Sequence, residues 1–264
     1  MNVEKNNYKW LQGLNIVGFI GMVIVNFLAN YLPINDIDTG EIADLYPNLF
    51  TPAGFTFAIW GLIYLLLAVF VVYQGKEIFS NNNKQLNYVQ RIGYLFFTSC
   101  LLNLSWIFAW HYLRVGLSLV IMILLLVNLI MLYKRLNVNK AQEKGEFITR
   151  IAFSIYLGWI TIATVANVTV FLVDIDWGQW GLSEVFWMIA VIIIATAIVI
   201  SFMHKNNDWV YGLVAIWAYF GIIAKRLQTE PVETAVVIVV ALGMLVIAGN
   251  IVRMIKNNKQ LWSG

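Results

Sequence analysis

The sequence predicts an all-α integral membrane protein, a polytopic bundle of about eight transmembrane helices. Of its 264 residues, 61% are apolar and only 12% are charged, whereas water-soluble chains carry about 25% charged residues. Lipid is therefore expected to be the solvent of most of the chain. Two further observations support this class. The apolar residues are gathered into long runs, and most basic residues lie in every second loop between those runs or at the chain ends.

The apolar runs define the predicted spans. They lie near residues 10–32, 52–74, 90–112, 115–133, 149–173, 183–203, 209–224 and 234–252. A hydrocarbon core of ~30 Å requires about 20 helical residues at a rise of about 1.5 Å each. Most of the runs reach this length, and the seventh is the shortest of them.

The charged residues of the loops predict an orientation. Fourteen of the 17 Lys and Arg residues fall on one side of an eight-span arrangement, and only Arg114, Lys225 and Arg226 fall on the other. Basic loops favour the cytoplasmic side, so both termini are expected in the cytoplasm, most simply at a bacterial cell membrane. This arrangement accounts for the net charge of +3, and membrane lipids rather than nucleic acid are the expected partners.

The spans carry no ionisable residue near their middle, where such groups often mark proton or ion pathways. Five basic residues stand at span ends, where we interpret them as side chains that snorkel toward water: Arg91, His111, Arg114, Lys225 and Arg226. Cys100 is the only cysteine, so a disulfide or a two-cysteine metal site within the chain is excluded. We therefore predict no catalytic residue, no metal and no resident cofactor, and a proton-coupled pump is disfavoured.

Aromatic and amide side chains recur at helical spacing in three of the spans. The three stripes are Phe57, Trp60 and Tyr64; Asn103, Trp106 and Trp110; and Trp159, Ala163 and Asn167. Residues at these spacings share one helical face, and three stripes of similar chemistry suggest a shared ligand cavity. Such stripes are also typical of helix packing. Each amide must find a partner, because a buried unpaired amide costs about 1–3 kcal/mol, and a bond to another helix is the first expectation.

The loop before the second span contains two prolines, Pro47 and Pro52, on either side of Phe50. Proline fixes the backbone φ angle and is also common at a helix start. The segment is therefore expected to act either as a lid over a cavity or as a simple connector, and the sequence alone fits both.

These residues resemble the pattern of the TspO family, also called translocator protein, peripheral benzodiazepine receptor or tryptophan-rich sensory protein. Pro47, Pro52, Trp60 and Tyr64 keep the spacing of that family's first loop and second helix. The third-helix and fifth-helix patterns appear as Leu102, Asn103 and Trp106 and as Tyr156, Trp159, Ala163, Thr164 and Asn167. The resemblance covers roughly residues 10–173.

The resemblance implies a five-helix membrane domain at residues 1–173, followed at 174–264 by three additional transmembrane helices and a short cytoplasmic tail. It also implies a ligand, porphyrin or haem, held between the helices beneath the first long loop. The implied lining is Trp60, Tyr64, Asn103, Trp106, Trp110, Tyr156, Trp159, Ala163 and Asn167, with Pro47, Phe50 and Pro52 in the lid. The sterol pattern of animal members is absent, since Phe171-Leu172-Val173-Asp174 stands in its place.

The leading hypothesis is a membrane receptor or binding protein for a flat hydrophobic small molecule, a tetrapyrrole, in its sensing, transport or turnover. Two other classes remain open: a photo-oxidative enzyme that degrades porphyrin, and a transporter of a lipid or another metabolite. The chain is expected to be a monomer or a homodimer. It would be a monomer if the additional helices cover the surface that shorter members use for dimerisation.

Overall fold

The helical membrane fold is confirmed by the computed structural model, which describes residues 2–32, 34–76, 87–136 and 144–262. The loops 77–86 and 137–143, which carry Lys84 and Lys140 of the predicted basic side, lie outside the described residues. The α-helices are α1 Asn2–Tyr31, α2 Thr39–Asp44, α3 Ile59–Lys76, α4 Asn87–Ile92, α5 Leu95–His111, α6 Val115–Leu136, α7 Lys144–Asp174, α8 Glu184–Asn206, α9 Trp209–Leu227 and α10 Thr234–Trp262. The described residues include no β-strand.

Seven helices of the described chain are long and apolar enough to cross a membrane. The predicted third span is also helical, but its apolar helix α5 has only 17 residues, which is about 25 Å of helix. The run predicted at 90–112 is interrupted at Gly93, whose φ of +53° ends the short helix α4. Glycine is favoured there because it has no Cβ atom and therefore adopts the left-handed conformation without a steric penalty.

The chain folds into two compact units. Unit 1 comprises Met1–Ile42 and Ile59–Leu157, and unit 2 comprises Ala43–Ala58 and Gly158–Gly264. The helix α7 contributes to both. The predicted division after residue 173 into a five-helix domain and three additional helices stays a prediction.

Unit 1 combines an aromatic core with hydrogen bonds between its helices. Phe70, Phe96 and Phe153, from α3, α5 and α7, meet edge to face with ring centroids 5.0–5.9 Å apart. The Gln12 side-chain amide donates to the backbone carbonyl oxygen of Gln74 over 3.1 Å. Polar side chains in lipid-embedded helices join helices in this way because water is not available to them.

The interpretation of His111 as a snorkelling residue is wrong. Its side chain is completely buried, with Nε2 3.0 Å from the Thr39 hydroxyl and Nδ1 3.0 Å from the backbone oxygen of Ile34. These two polar partners, one before α2 and one at its first residue, make burial of the imidazole ring possible. His111 therefore fixes the start of the first long loop to the end of α5.

Unit 2 is assembled by close approaches at small residues. A Cβ added at Gly158 of α7 would lie 3.1 Å from the Val214 side chain of α9, and one added at Gly221 would overlap the Thr56 side chain. The backbone N–H of Ala53 donates to the carbonyl oxygen of Gly221 over 3.0 Å. Glycine thus lets the segment before α3 approach the backbone of α9 directly.

Candidate functional site

Four aromatic rings form a continuous stack in unit 1. Trp60 stacks on Tyr64 in α3, with centroids 5.5 Å apart and planes inclined by 19°. Trp106 stacks on Trp110 in α5 at 5.8 Å and 20°, and the two pairs meet through Trp60 and Trp106 at 6.3 Å and 31°. Tyr156 of α7 meets Trp60 edge to face at 6.1 Å. We call these five residues the aromatic cluster.

The local sequence explains this order. Each stacked pair has a spacing of four residues, which places both rings on one face of the helix. The Trp110 indole nitrogen donates to the backbone oxygen of Thr39 over 3.1 Å, which fixes the end of the stack. Trp106 and Trp110 are buried, whereas Trp60 and Tyr64 are partly exposed. Part of the stacked surface is therefore open.

Polar atoms without partners lie beside the aromatic cluster. The Asn103 side-chain oxygen accepts a hydrogen bond of 2.8 Å from the Asn26 amide of α1, so the expected bond to another helix is confirmed. The Asn103 amide nitrogen and the hydroxyls of Tyr64 and Tyr156 are buried without a hydrogen-bond partner among the described residues. The Tyr156 hydroxyl lies beside Asn103, but without the geometry of a full hydrogen bond.

The remaining predicted lining residues belong to unit 2. Trp159 is 3% exposed and meets Phe57 edge to face, with ring centroids 6.0 Å apart. Asn167 donates to the Ala163 carbonyl oxygen of its own helix over 3.0 Å. Ala163 itself is partly exposed. A cavity shared by these residues and the aromatic cluster stays a prediction.

The predicted lid loop is held by Asn48. Its side-chain oxygen accepts from the backbone N–H groups of Phe50 and Thr51, both at 2.9 Å, and its amide donates to the Tyr46 carbonyl oxygen at 2.8 Å. Such bonds are typical of an asparagine that organises a turn. Phe50 is 1% exposed and Pro52 is also buried, whereas Pro47 is exposed. The loop is therefore a folded part of unit 2.

Tyr46 ties this loop to α7. Burial and the nearby carboxylate of Asp174 raise the pKa of Tyr46 above its ordinary value of 10.0. The phenol is therefore neutral and able to donate at physiological pH.

Unit 2 contains a cavity of about 550 Å³ beside the lid loop, within the range usual for small-molecule sites. Its lining among the described residues is Pro47, Asn48, Leu49, Phe50, Thr169, Leu172, Val173, Asp176, Trp177, Gln179, Glu184, Trp187, Met188 and Val191. Of the predicted site residues, only Pro47 and Phe50 line it. Half of the lining, from Asp176 to Val191, follows the resembling region, and the sequence interpretation did not consider it as a site. Trp177, Trp180 and Trp187 are nevertheless a visible concentration of tryptophan.

Two of the three basic residues that departed from the charge pattern, Lys225 and Arg226, have acidic neighbours in unit 2. Lys225 forms an ion pair with Asp44 at 2.6 Å. Arg226 is 8% exposed and interacts electrostatically with Glu184, Asp44 and Glu233. The interpretation of Arg226 as a snorkelling side chain is therefore wrong, because a buried charge requires a partner and the acidic residues around Arg226 supply it. In the described part of the chain, no group of three or more His, Cys, Asp and Glu side chains could hold a metal ion.

A family model described as TSPO-like protein matches residues 10–253. The match extends beyond the expected region 10–173 and includes the helices α8 and α9 and most of α10. The comparison with curated proteins found no match, and neither did the comparison with solved structures.

Proposed function

The chain belongs to the TSPO-like protein family, and from this premise we propose that it is a membrane receptor for a flat hydrophobic small molecule, a tetrapyrrole such as porphyrin or haem. The function we assign is the sensing, transport or turnover of that molecule. The observation that carries the proposal is the stack of four rings in unit 1, with unpaired polar atoms beside it.

The stack supplies flat apolar surface. The planes of Tyr64, Trp60, Trp106 and Trp110 differ by 31° or less from one ring to the next. Rings at these small inclinations favour an offset aromatic guest, since stacked aromatic pairs contribute about 0.5–1.5 kcal/mol beyond the burial of area. Trp60 stands at the centre of the cluster, in contact with three of its other members, and is partly exposed. It is therefore the ring on which we place the ligand.

The polar atoms supply the orientation. An amide nitrogen donates, and a phenol both donates and accepts. The nitrogen of Asn103 and the hydroxyls of Tyr64 and Tyr156 therefore suit a ligand whose edge carries carbonyl or carboxylate oxygens. Leaving such groups unpaired costs about 1–3 kcal/mol each, and a ligand that satisfies them removes this cost. Porphyrin propionates have the required acceptor atoms.

Titration of the purified protein with protoporphyrin in detergent tests the proposal through quenching of tryptophan fluorescence. Saturable quenching is expected, with an affinity at least about 10-fold weaker in Trp60→Leu, since the stacking surface is interrupted. Trp10→Leu, at a position that is 62% exposed and outside the cluster, is the matched control. Quenching that does not saturate, or that is equal in Trp60→Leu and the control, contradicts the proposal.

A second candidate is photo-oxidative turnover of the same ligand, with dioxygen as the oxidant. It is favoured by the unbroken series Tyr156, Trp60, Trp106 and Trp110, whose successive centroids are 6.1, 6.3 and 5.8 Å apart. Illumination of the complex followed by product analysis separates the candidates. A receptor leaves the pigment no more altered than free pigment in detergent, whereas an enzyme yields a defined product.

The proposal places the protein in a bacterial cytoplasmic membrane with both termini in the cytoplasm, as a monomer or a homodimer surrounded by lipid. Cysteine labelling tests the orientation: Cys100 is buried and is first replaced by Ala. A membrane-impermeant maleimide should then label Asp36→Cys in intact cells and Lys205→Cys only after lysis. The reverse pattern contradicts the orientation.

A further inference from the structure

The cavity of unit 2 has a wall of tryptophan. Trp177, Trp180 and Trp187 meet edge to face, with ring centroids 5.0–5.7 Å apart, and Trp177 and Trp187 line the cavity. Trp180 is 80% exposed and supports the other two rings from outside. The wall therefore presents indole surface to any molecule in the cavity.

The wall is held in a fixed position. The Trp187 indole nitrogen donates to the backbone oxygen of Gln179 over 2.9 Å. Gln179 and Trp180 have φ angles of +53° and +51°, which non-glycine residues adopt at a cost of about 1–3 kcal/mol each. The surrounding contacts maintain this conformation, and the result is a turn that keeps its rings beside the cavity.

The charges of the lining have one sign. Asp176 and Glu184 line the cavity, and none of the described lining residues is Lys, Arg or His. Glu184 interacts with the Arg226 side chain, whereas no ion pair that involves Asp176 is found in the described part of the chain. Both carboxylates are exposed, so they lie where a ligand can meet them from water. The cavity is therefore negative toward an incoming molecule.

The cavity lining also includes apolar side chains. Phe50 of the lid loop and Met188 of α8 are 1% and 4% exposed, and Leu172 and Val173 of α7 belong to the same lining. The cavity thus combines apolar surface for a hydrocarbon body with indole rings and a carboxylate for a positive head. Indole rings attract ammonium and quaternary ammonium groups through the ring quadrupole, most strongly where water is excluded.

We propose that this cavity binds an amphiphilic cation, a molecule with an apolar body and an ammonium head, through Trp177, Trp187 and Asp176. The inference goes beyond the tetrapyrrole proposal and is independent of it, since it concerns other residues and another ligand charge. The ammonium group belongs either to a free amphiphile or to a phospholipid headgroup, which offer the same chemistry to the site.

Photolabelling of the full-length protein in nanodiscs of phosphatidylglycerol tests the proposal. The probe is an alkyl trimethylammonium with a diazirine in its chain, and the matched probe has a sulfonate head on the same chain. Peptide mass spectrometry is expected to find the cationic label on residues 46–50 and 172–191 at no less than 10 times the level of the sulfonate label. Equal labelling by the two probes would overturn the proposal.

Variants connect the label to the named residues. Asp176→Asn and Trp177→Leu are each expected to lower cationic labelling of the two segments about 5-fold or more. Glu230→Gln, an acid of the same unit outside the cavity lining, should leave it unchanged. Because Asp176 is exposed, its variant is expected to fold. Unchanged labelling in Asp176→Asn would overturn the role of that carboxylate, and unchanged labelling in both variants would overturn the site.

Lipid composition distinguishes the two sources of the ammonium group. If phosphatidylethanolamine or phosphatidylcholine in the nanodisc competes with the label, a lipid headgroup occupies the site. If only free alkyl trimethylammonium competes, the ligand is a soluble amphiphile. Competition by either molecule supports a site that binds an ammonium group. If neither the phospholipids nor the free alkyl trimethylammonium reduces labelling, the proposal is overturned.

Discussion

The Asn26 side-chain amide donates a hydrogen bond of 2.8 Å to the Asn103 side-chain oxygen, joining α1 to α5. The same Asn26 nitrogen also donates to the Met22 carbonyl oxygen at 2.9 Å, so Asn26 is fixed by its own helix. The bond occupies the Asn103 oxygen and leaves its nitrogen beside Tyr156. One contact between helices thus sets which atom of Asn103 is available to a ligand.

Replacement of Asn103 by Ala should lower both stability and ligand affinity. The bond from Asn26 is lost, which costs about 1–3 kcal/mol of the free energy of unfolding, and the donor beside Tyr156 disappears. Unfolding by sodium dodecyl sulfate in mixed micelles measures the first effect, and protoporphyrin quenching measures the second.

Asn128→Ala is the matched control for that variant. It also removes an amide hydrogen bond between helices, 2.9 Å to the Leu95 carbonyl oxygen, but at the first residue of α5 rather than at its middle. A similar loss of stability with unchanged affinity is expected. If Asn103→Ala kept the affinity of the intact protein, Asn103 would have no part in binding.

Replacement of Tyr156 by Phe should not destabilise the protein without ligand. The hydroxyl is buried and lacks a hydrogen-bond partner, so its removal should raise the free energy of unfolding by up to about 2 kcal/mol. The comparison is Tyr211→Phe, which loses a bond of 2.7 Å to the Thr161 hydroxyl and should lose about 1 kcal/mol. A clear loss of stability in Tyr156→Phe would show that the hydroxyl already has a partner.

Replacement of Gly221 by Ala should disrupt the packing of the segment before α3 against α9. The added methyl group would overlap Thr56, which is fully buried, and overpacking of this kind costs about 1–3 kcal/mol. At Gly249, where an added Cβ meets nothing within 4 Å, the same change should gain up to about 1 kcal/mol of helix propensity. Equal unfolding midpoints for the two variants would contradict the close approach.

The tether between Tyr46 and Asp174 should depend on pH in the alkaline range. Since the folded-state pKa of Tyr46 is raised, its contribution to stability is complete below the unfolded pKa of about 10 and is lost as pH rises through the folded pKa. The titration of Tyr46 is the tyrosinate absorbance of the intact protein minus that of Tyr46→Phe, and its midpoint should lie above pH 10. In the Asp174→Asn background the midpoint of Tyr46 should lie closer to pH 10. A midpoint at or below 10 in the intact protein would refute the tether.

The spans could be predicted because hydropathy and loop charge act over many residues. The break at Gly93 could not, since a window that recognises a span averages over one residue in a left-handed conformation. The burial of His111 escaped for a different reason. Its partners, Thr39 and the Ile34 carbonyl oxygen, belong to a loop whose path the sequence pattern does not define.

The aromatic stack was accessible to sequence reasoning because residues four apart share a helical face. The partner of Asn103 was not, since it depends on how α1 is rotated against α5. The tryptophan wall was also missed as a site, because Trp177 and Trp180 lie in a non-helical turn whose side-chain directions follow from positive φ angles rather than from periodicity.

The most direct test of the central claim is the dissociation constant of protoporphyrin, measured by absorbance for the intact protein and for the double variant Tyr64→Phe and Tyr156→Phe. The rings remain, and only two unpaired hydroxyls are removed. The account predicts binding about 10- to 100-fold weaker, at about 1.4 kcal/mol for each factor of 10, with no loss of stability before ligand is added. Equal dissociation constants would show that these hydroxyls do not hold the ligand.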